Sequence, residues 1–321
     1  MARLTRREEQ CDKFDDRHDG QRIDNSAGHE RNVQEPDWWS ARMTHSAPLK
    51  RALVLAVASG KGGVGKTNLA INVSVALSRL GHRVAVIDGD FGLGNVDVML
   101  GLTAQLHVGH LLSGERQLSQ VLIEGPGGVH VLPAGSGIQP LTALTPVQRE
   151  RFNHAVEQAR SSFDFIVVDT APGISSNVID ILQIAHHVLL VTSLEPAALV
   201  DAYAVAKVLW RSTQRADIGL IVSGVRHSEE GRLAFRQIDR AAARFLGHHL
   251  RYFGHVAHDP AVREALVNQV PLVDYLPQTP ASRCFRLLAN RLATLDTGPG
   301  GVRLLPAAGP AGGDIEVSQC A

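Results

Sequence analysis

Ala58-Ser59-Gly60-Lys61-Gly62-Gly63-Val64-Gly65-Lys66-Thr67-Asn68 is the stretch whose reading decides the fold. Gly60, Gly65, Lys66 and Thr67 satisfy the spacing G-x-x-x-x-G-K-[ST] of a phosphate-binding loop. Residues 52–58 (ALVLAVA) form a continuous apolar run, as expected of a strand buried on both faces of a parallel sheet. After the loop, Leu69, Val73, Ala76, Leu77 and Leu80 recur at helical spacing as far as Gly81, a helix C-cap residue. Strand, glycine loop and helix aim the loop N–H groups and the helix N-terminus at one place, where phosphate oxygens sit. Gly62, Gly63 and Gly65 allow close backbone approach. Lys66 is expected to neutralise the β- and γ-phosphates, and the Thr67 hydroxyl to ligate Mg²⁺. A second lysine, Lys61, follows the first glycine directly.

Carboxylates stand at two further strand ends. Residues 83–88 (RVAVID) form an apolar strand ending in Asp88, with Asp90 one residue beyond Gly89. Residues 165–169 (FIVVD) end in Asp169 and run on into Thr170-Ala171-Pro172-Gly173. The C-terminal edge of a parallel sheet faces the ligand crevice. Asp169 is read as a Walker-B-like carboxylate for Mg²⁺, Asp88 as a neighbour of the metal shell, and Asp90 as the group that orients or activates the attacking water. One such aspartate alone would read as a turn or cap residue; three beside a phosphate loop read as a site.

Alternating strand and helix patterns run from about residue 48 to residue 295, which predicts an α/β fold with a mostly parallel, twisted sheet and helices on both faces. Strands are predicted at 52–58, 83–88, 129–132, 164–169, 187–192, 218–222 and 251–256. Helices are predicted at 66–80, 147–161, 176–185, 199–211, 231–246, 260–268 and 280–294. Residues 1–47 are polar with mixed charge and are expected to be a disordered arm, Trp38-Trp39 standing out within it. Met43 is an expected alternative start. Residues 296–321, rich in Gly, Pro and Ala, are expected to be a flexible tail.

Lys+Arg and Asp+Glu are both 32, so nothing global points to nucleic acid or a membrane surface. Cys11, Cys284 and Cys320 form no C-x-x-C pair, which argues against a disulfide framework, a zinc ribbon or a cysteine-held iron–sulfur cluster. No apolar run reaches membrane-spanning length, and the chain reads as cytoplasmic. His186-His187 and His248-His249 lack a third ligand at metal spacing and read as loop or strand-edge residues. Phe235 and Phe245 read as helix core. Arg211 and Arg215 read as solvated helix-end residues rather than a nucleic-acid patch. In the last helix, Cys284, Phe285, Leu288, Leu292 and Leu295 share one face, with Arg283 and Arg286 towards the other. A basic membrane helix at the inner face of the cell membrane is the weaker reading; a domain helix packed on the sheet is preferred.

Lys61 within KGGVGKT, with the Asp88-Gly89-Asp90 and Asp169–Gly173 segments, resembles the deviant Walker A ATPases of the MinD/ParA group. That resemblance implies an ATP-bound homodimer in which Lys61 reaches across to the partner's phosphates, Mg²⁺-dependent slow hydrolysis, and a switch rather than a fast enzyme. It implies catalytic roles for Lys61, Lys66 and Asp90, nucleotide contacts from Gly60 through Asn68, and chain near Pro260 and Ala261 bordering the adenine. The stretches 91–102, 131–137, 169–178, 195–204 and 259–271 are similar to the flagellar number regulators of that group. Their expected partners are an FlhF-type GTPase, a basal-body component or a transcriptional activator, and residues 201–204 are expected to contribute to the partner surface. Three departures stand out. Ser223-Gly224 occupy the place where an asparagine usually reads adenine, residues 1–47 lack the short helix motif that stimulates FlhF, and the tail offers no separate amphipathic helix. A DNA-partitioning ATPase of the ParA kind is the alternative; an iron–sulfur carrier and a scaffold without turnover are further ones.

Overall fold

The computed structural model describes residues 51–135, 144–212 and 217–295. The expected arm at 1–47, the tail at 296–321, Trp38-Trp39, Met43, Ser136-Gly137 and Arg215 lie outside the described residues.

Eight strands form one sheet: β1 (Leu53–Ala58), β2 (Val84–Gly89), β3 (Ile123–Glu124), β4 (His130–Leu132), β5 (Phe165–Thr170), β6 (His187–Ser193), β7 (Ile218–Val225) and β8 (Arg251–Ala257). Their order is β3-β4-β2-β5-β1-β6-β7-β8. Every pairing is parallel except the short β3 on β4. All seven predicted strands are present, each within a few residues of its expected bounds. The two-residue β3 carries too little pattern to be read from sequence.

The apolar run of β1 shows why the sheet is covered on both sides. Ala52, Val54, Ala56 and Ala58 enter one core, and Leu53, Leu55 and Val57 enter the other. The first core lies under α5 (Pro146–Ser162), α6 (Ser176–Ile184), α7 (Pro196–Ser212) and α8 (Ser228–Leu246). The second lies under α1 (Lys66–Arg79), the short α2 (Val96–Met99), α9 (Ala261–Val267), α10 (Leu272–Tyr275) and α11 (Pro280–Ala293). Two further short helices, α3 (Val108–Ser113) and α4 (Leu118–Val121), pack on the first core. Neither these two nor α2 and α10 exceed two turns, and the sequence gives no periodic signal for them.

Local chemistry sets the helix ends. Thr145 caps α5, its hydroxyl accepting from Gln148 N at 3.3 Å while the Gln148 side chain accepts from Thr145 N at 2.9 Å. Pro146 and Pro280 occupy first-turn positions that need no amide hydrogen. At the far end of α1, Gly81 turns left-handed at φ 91 as the C-cap pattern predicts.

Three sequence expectations change. Leu80 is 47% exposed, because the helix has already ended there. Phe245 is not core: it is 68% exposed at the last turn of α8, under the Arg244 guanidinium. His187 is neither loop nor edge; it begins the interior strand β6 and is 4% exposed. Its neighbour His186 accepts the Val54 amide through Nδ1 at 2.9 Å, continuing the sheet's hydrogen bonding one residue beyond β6. The preferred reading of the last helix holds: Cys284, Phe285, Leu288, Leu292 and Leu295 are all buried. The apolar face of α11 is taken up by α1 and β8, and is not available to a membrane surface. Among the described residues, no helix is long and apolar enough to cross a membrane.

The two sheet edges differ from its middle. β3 closes one edge with two antiparallel residues. At the other, β8 pairs with β7 through two register shifts, and the Arg291 guanidinium donates to the Phe253 carbonyl.

Candidate functional site

The central strand β1 has β5 on one side and β6 on the other, with β2 beyond β5. Asp88, Asp169 and the start of the glycine loop therefore come together at the C-terminal edge: Val57 is level with Asp169, and Asp169 with Asp88.

The loop turns into α1 through Gly65, left-handed at φ 91, with Gly63 also left-handed at φ 81. A side chain at either position would be strained. No side chain caps α1, so its first amides remain aimed at the loop's hollow. A Cβ on Gly63 would meet nothing within 4 Å. An uncapped helix N-terminus behind an open glycine loop fits the phosphates of a nucleotide.

Lys66 Nζ donates to Asp169 Oδ1 at 2.8 Å, with side chains 9% and 1% exposed. Burial pushes the Asp169 carboxyl above its ordinary range; the Lys66 charge and hydrogen bond and the Thr67 hydroxyl pull it back, and the Asp90 charge pushes it up again. Thr67 and Asp169 thus share one spot, as a Mg²⁺ position requires. Among the described residues no three His, Cys, Asp or Glu side chains cluster to hold a metal by themselves. Mg²⁺ on one or two carboxylates, a hydroxyl and phosphate oxygens needs no such cage.

Asp88 is fully buried, and burial pushes its carboxyl up to about 7. Both its oxygens already accept backbone amides, Oδ2 from Val96 at 3.0 Å and Oδ1 from Asp90 at 3.2 Å. Asp88 therefore shapes the loop that carries Asp90, and it lies level with Asp169 on the neighbouring strand. A Cβ on Gly94 would overlap the Asp88 carboxylate. Asp90 Oδ1 accepts from Leu93 N at 3.2 Å, within the same turn.

Lys61 behaves differently from Lys66. It stands at the outer lip of the loop, 41% exposed, and pairs with the exposed Glu195. Behind it Gly60 lies against α7: a Cβ there would fall 2.6 Å from Asp201 Cβ and closer still to the Asp201 carbonyl. The loop after β5 is tied in too, Gly173 N donating to Ser59 O at 2.8 Å and Thr170 Oγ1 to Val57 O at 3.1 Å. Sequence reading assigned no role to Gly94, Glu195 or Ser59, because their partners are distant in sequence or are backbone atoms.

Beside the loop a crevice of about 210 Å³ is lined by Gly63, Val64, Gly65 and Asn68, by Ser223 and Gly224, and by His258, Asp259 and Val262. Ser223 lies at the base of the loop, its Oγ 3.3 Å from where a Gly65 Cβ would be. Pro260 and Ala261 start α9 between lining residues and are not themselves in the lining. Asp259 is occupied as a cap, accepting from Ala261 N at 3.0 Å and Ala281 N at 3.1 Å.

Residues 50–293 match the ParA family, described as NUBPL iron-transfer P-loop NTPase. The antiactivator FleN of Pseudomonas aeruginosa is 38% identical over 239 residues, covering 74% of this chain and 85% of FleN. The flagellum site-determining protein YlxH of Helicobacter pylori is 30% identical over 246 residues, 76% of this chain and 83% of YlxH. The MinD cell division protein of Aquifex aeolicus superposes with a TM-score of 0.63 at 27% identity, over 77% of this chain and 99% of that one. The family match spans most of the chain and FleN is more than 30% identical over most of it, so the chain belongs to the ParA family of P-loop NTPases.

Proposed function

We propose that residues 48–295 form an ATP-dependent dimerisation switch with slow ATP hydrolysis that sets the number or placement of flagella. The observation that carries the reading is the division between two lysines of one loop. Lys66 is buried against Asp169, which supports a role at the phosphates of its own nucleotide. Lys61 is held on the open lip by an exposed carboxylate, where it can serve a nucleotide bound by a second copy. Leu93, Ile174, Leu194 and Val200 are exposed around that end of the sheet and offer apolar surface to such a copy.

Bound ATP supplies the phosphoryl group and, with Mg²⁺, the charge that Lys66, Thr67 and Asp169 are placed to meet. Lys66 would meet the β- and γ-phosphates, and Thr67 and Asp169 would hold Mg²⁺, which would neutralise charge developing on the phosphates. Asp88 fixes the loop through the Val96 and Asp90 amides, and Asp90 orients the attacking water. Lys61 exchanges Glu195 for the partner's phosphates and adds positive charge there.

The flagellar part rests on the likeness to FleN and YlxH. The partner is a flagellar assembly protein, whether an FlhF-type GTPase, a basal-body component or a transcriptional activator, engaged in the cytoplasm or transiently at the inner face of the membrane. An iron-carrier role is not favoured, since the sequence has no C-x-x-C pair.

Light scattering after gel filtration tests the switch: the wild type should dimerise with a slowly hydrolysed ATP analogue and remain monomeric with ADP, and Lys66→Ala should stay monomeric with both. Flagella counted by electron microscopy in a deletion strain test the biology. Excess or misplaced flagella, restored by wild type but not by Lys66→Ala, are expected. Normal flagella with lost plasmids would replace this reading with DNA partitioning.

A further inference from the structure

Gln269 is, among the described residues, the one non-glycine residue with a left-handed backbone, at φ 54. Gln269 is the left-handed residue that closes the end of α9, its amide donating to the Leu266 carbonyl and the Val270 amide to the Ala265 carbonyl, each at 3.1 Å; glycine is the usual residue there, so glutamine brings a side chain the turn itself does not need. Its Nε2 donates to the Val98 carbonyl at 2.6 Å, across 171 residues of sequence. Gly101 is itself left-handed at φ 64, and a Cβ placed on it would fall 3.5 Å from the Gln269 Cβ and 3.6 Å from the Gln269 carbonyl oxygen.

The two segments so joined are the two arms of the nucleotide site. Val98 lies in α2, whose first residue, Val96, donates its amide to Asp88. Gln269 lies two residues beyond the end of α9, and the start of α9 at Pro260 and Ala261 follows directly on the crevice residues His258 and Asp259. One arm therefore runs from the Asp88–Asp90 turn to the Val98 carbonyl. The other runs from the crevice beside the loop, along a short helix, to the Gln269 amide.

We infer that Gln269 is a positioning residue that couples nucleotide occupancy of the crevice beside the loop to the placement of the Asp88–Asp90 turn. This rests on the nucleotide-site reading given above. A nucleotide filling the crevice presses on the start of α9; the helix carries the displacement to Gln269, and the hydrogen bond passes it to α2 and the carboxylates. Outside the second core that α2 and α9 share, the exposed side chains of Val98, Leu266, Val267 and Val270 leave this junction open to solvent, and the Gln269 side-chain hydrogen bond is the polar link across it.

Two variants of the full chain test the coupling. Gln269→Gly removes the side chain and relieves the left-handed strain, so the melting temperature should not fall. Gln269→Glu keeps the size but cannot donate. In both, kcat for ATP should fall by about 3–10-fold through misplacement of the turn, with KM within about twofold. Hydrogen exchange reads the coupling without turnover. In wild type an ATP analogue should protect residues 258–267 and 91–99; in the variants only 258–267. Both segments protected in Gln269→Gly as in wild type, or 91–99 unprotected in wild type, would overturn the coupling while leaving nucleotide binding intact. Absence of any nucleotide effect at residues 60–68 would sink the proposed function and the coupling with it.

Discussion

Removing the buried cation of the loop should cost stability and binding separately, and a double-mutant cycle can tell the two apart. Lys66 and Asp169 are 2.8 Å apart with side chains 9% and 1% exposed. An exposed ion pair would contribute about 0–1 kcal/mol. A buried one behaves otherwise: deleting either partner leaves an uncompensated charge in the interior and costs about 3–5 kcal/mol, whereas replacing both is close to neutral. Lys66→Met keeps most of the aliphatic volume, and Asp169→Asn keeps the shape of the carboxylate. Each single variant of the nucleotide-free protein should lose about 3–5 kcal/mol in urea unfolding. With a slope of about 2–3 kcal/mol per molar urea, that is a midpoint shift of roughly 1–2.5 M. The double variant should return to within about 1–2 kcal/mol of wild type, giving a coupling comparable to either single loss. Fluorescent ATP-analogue binding should not return with it, because the phosphate cation is still missing. Single variants within about 0.5 kcal/mol of wild type would refute the buried pair, and a double variant that binds ATP normally would refute the phosphate role of Lys66.

The remaining expectations are simpler. Gly60→Ala drives a methyl group into the Asp201 backbone and should destabilise by about 1–3 kcal/mol while weakening ATP binding; unchanged melting would mean that α7 does not press on the loop. Asp90→Ala should retain the ATP dimer but lower turnover by about 10²-fold, measured as phosphate release, and wild-type turnover would remove Asp90 from the reaction. His187 should make the protein acid-sensitive. Burial, with Arg251 and His186 nearby, outweighs Asp217 and holds its pKa down to about 4 from 6.5, so the unfolded chain binds the extra proton. Stability present above about pH 6.5 is lost as the pH falls towards 4, by up to about 3 kcal/mol, and His187→Gln should flatten that part of the profile in urea titrations at successive pH values.

How much was legible follows from the length of each signal. The apolar runs of β1, β2 and β5, together with the glycine loop, specify strand, turn and helix within a few neighbouring residues, and the carboxylates fall at strand ends by the same pattern. Their meeting needs only the parallel sheet. What stayed hidden depends on contacts between distant positions. The Lys61–Glu195 pair spans 134 residues and the Gln269–Val98 bond 171. Asp88 as a holder of its own loop could not be read, since its partners are backbone amides that carry no residue identity. Phe245 misled because helical spacing marks a face and not where the helix leaves the core. His187 misled because a histidine at a strand start reads as polar, while its place in the interior strand β6 buries it.

The treatment of the sheet's margins has a consequence for self-association. A long regular edge strand invites another chain to add to it and so to build open-ended polymers. Here one margin stops at the two residues of β3, and the other is broken by register shifts in β8 with Phe253's carbonyl taken by Arg291. Growth by strand addition is discouraged on both flanks. In the proposed switch, association falls to the loop-bearing end, where a two-fold arrangement would close on itself and stop at two copies. A protein built this way can be tuned by nucleotide between one copy and two without the hazard of filaments.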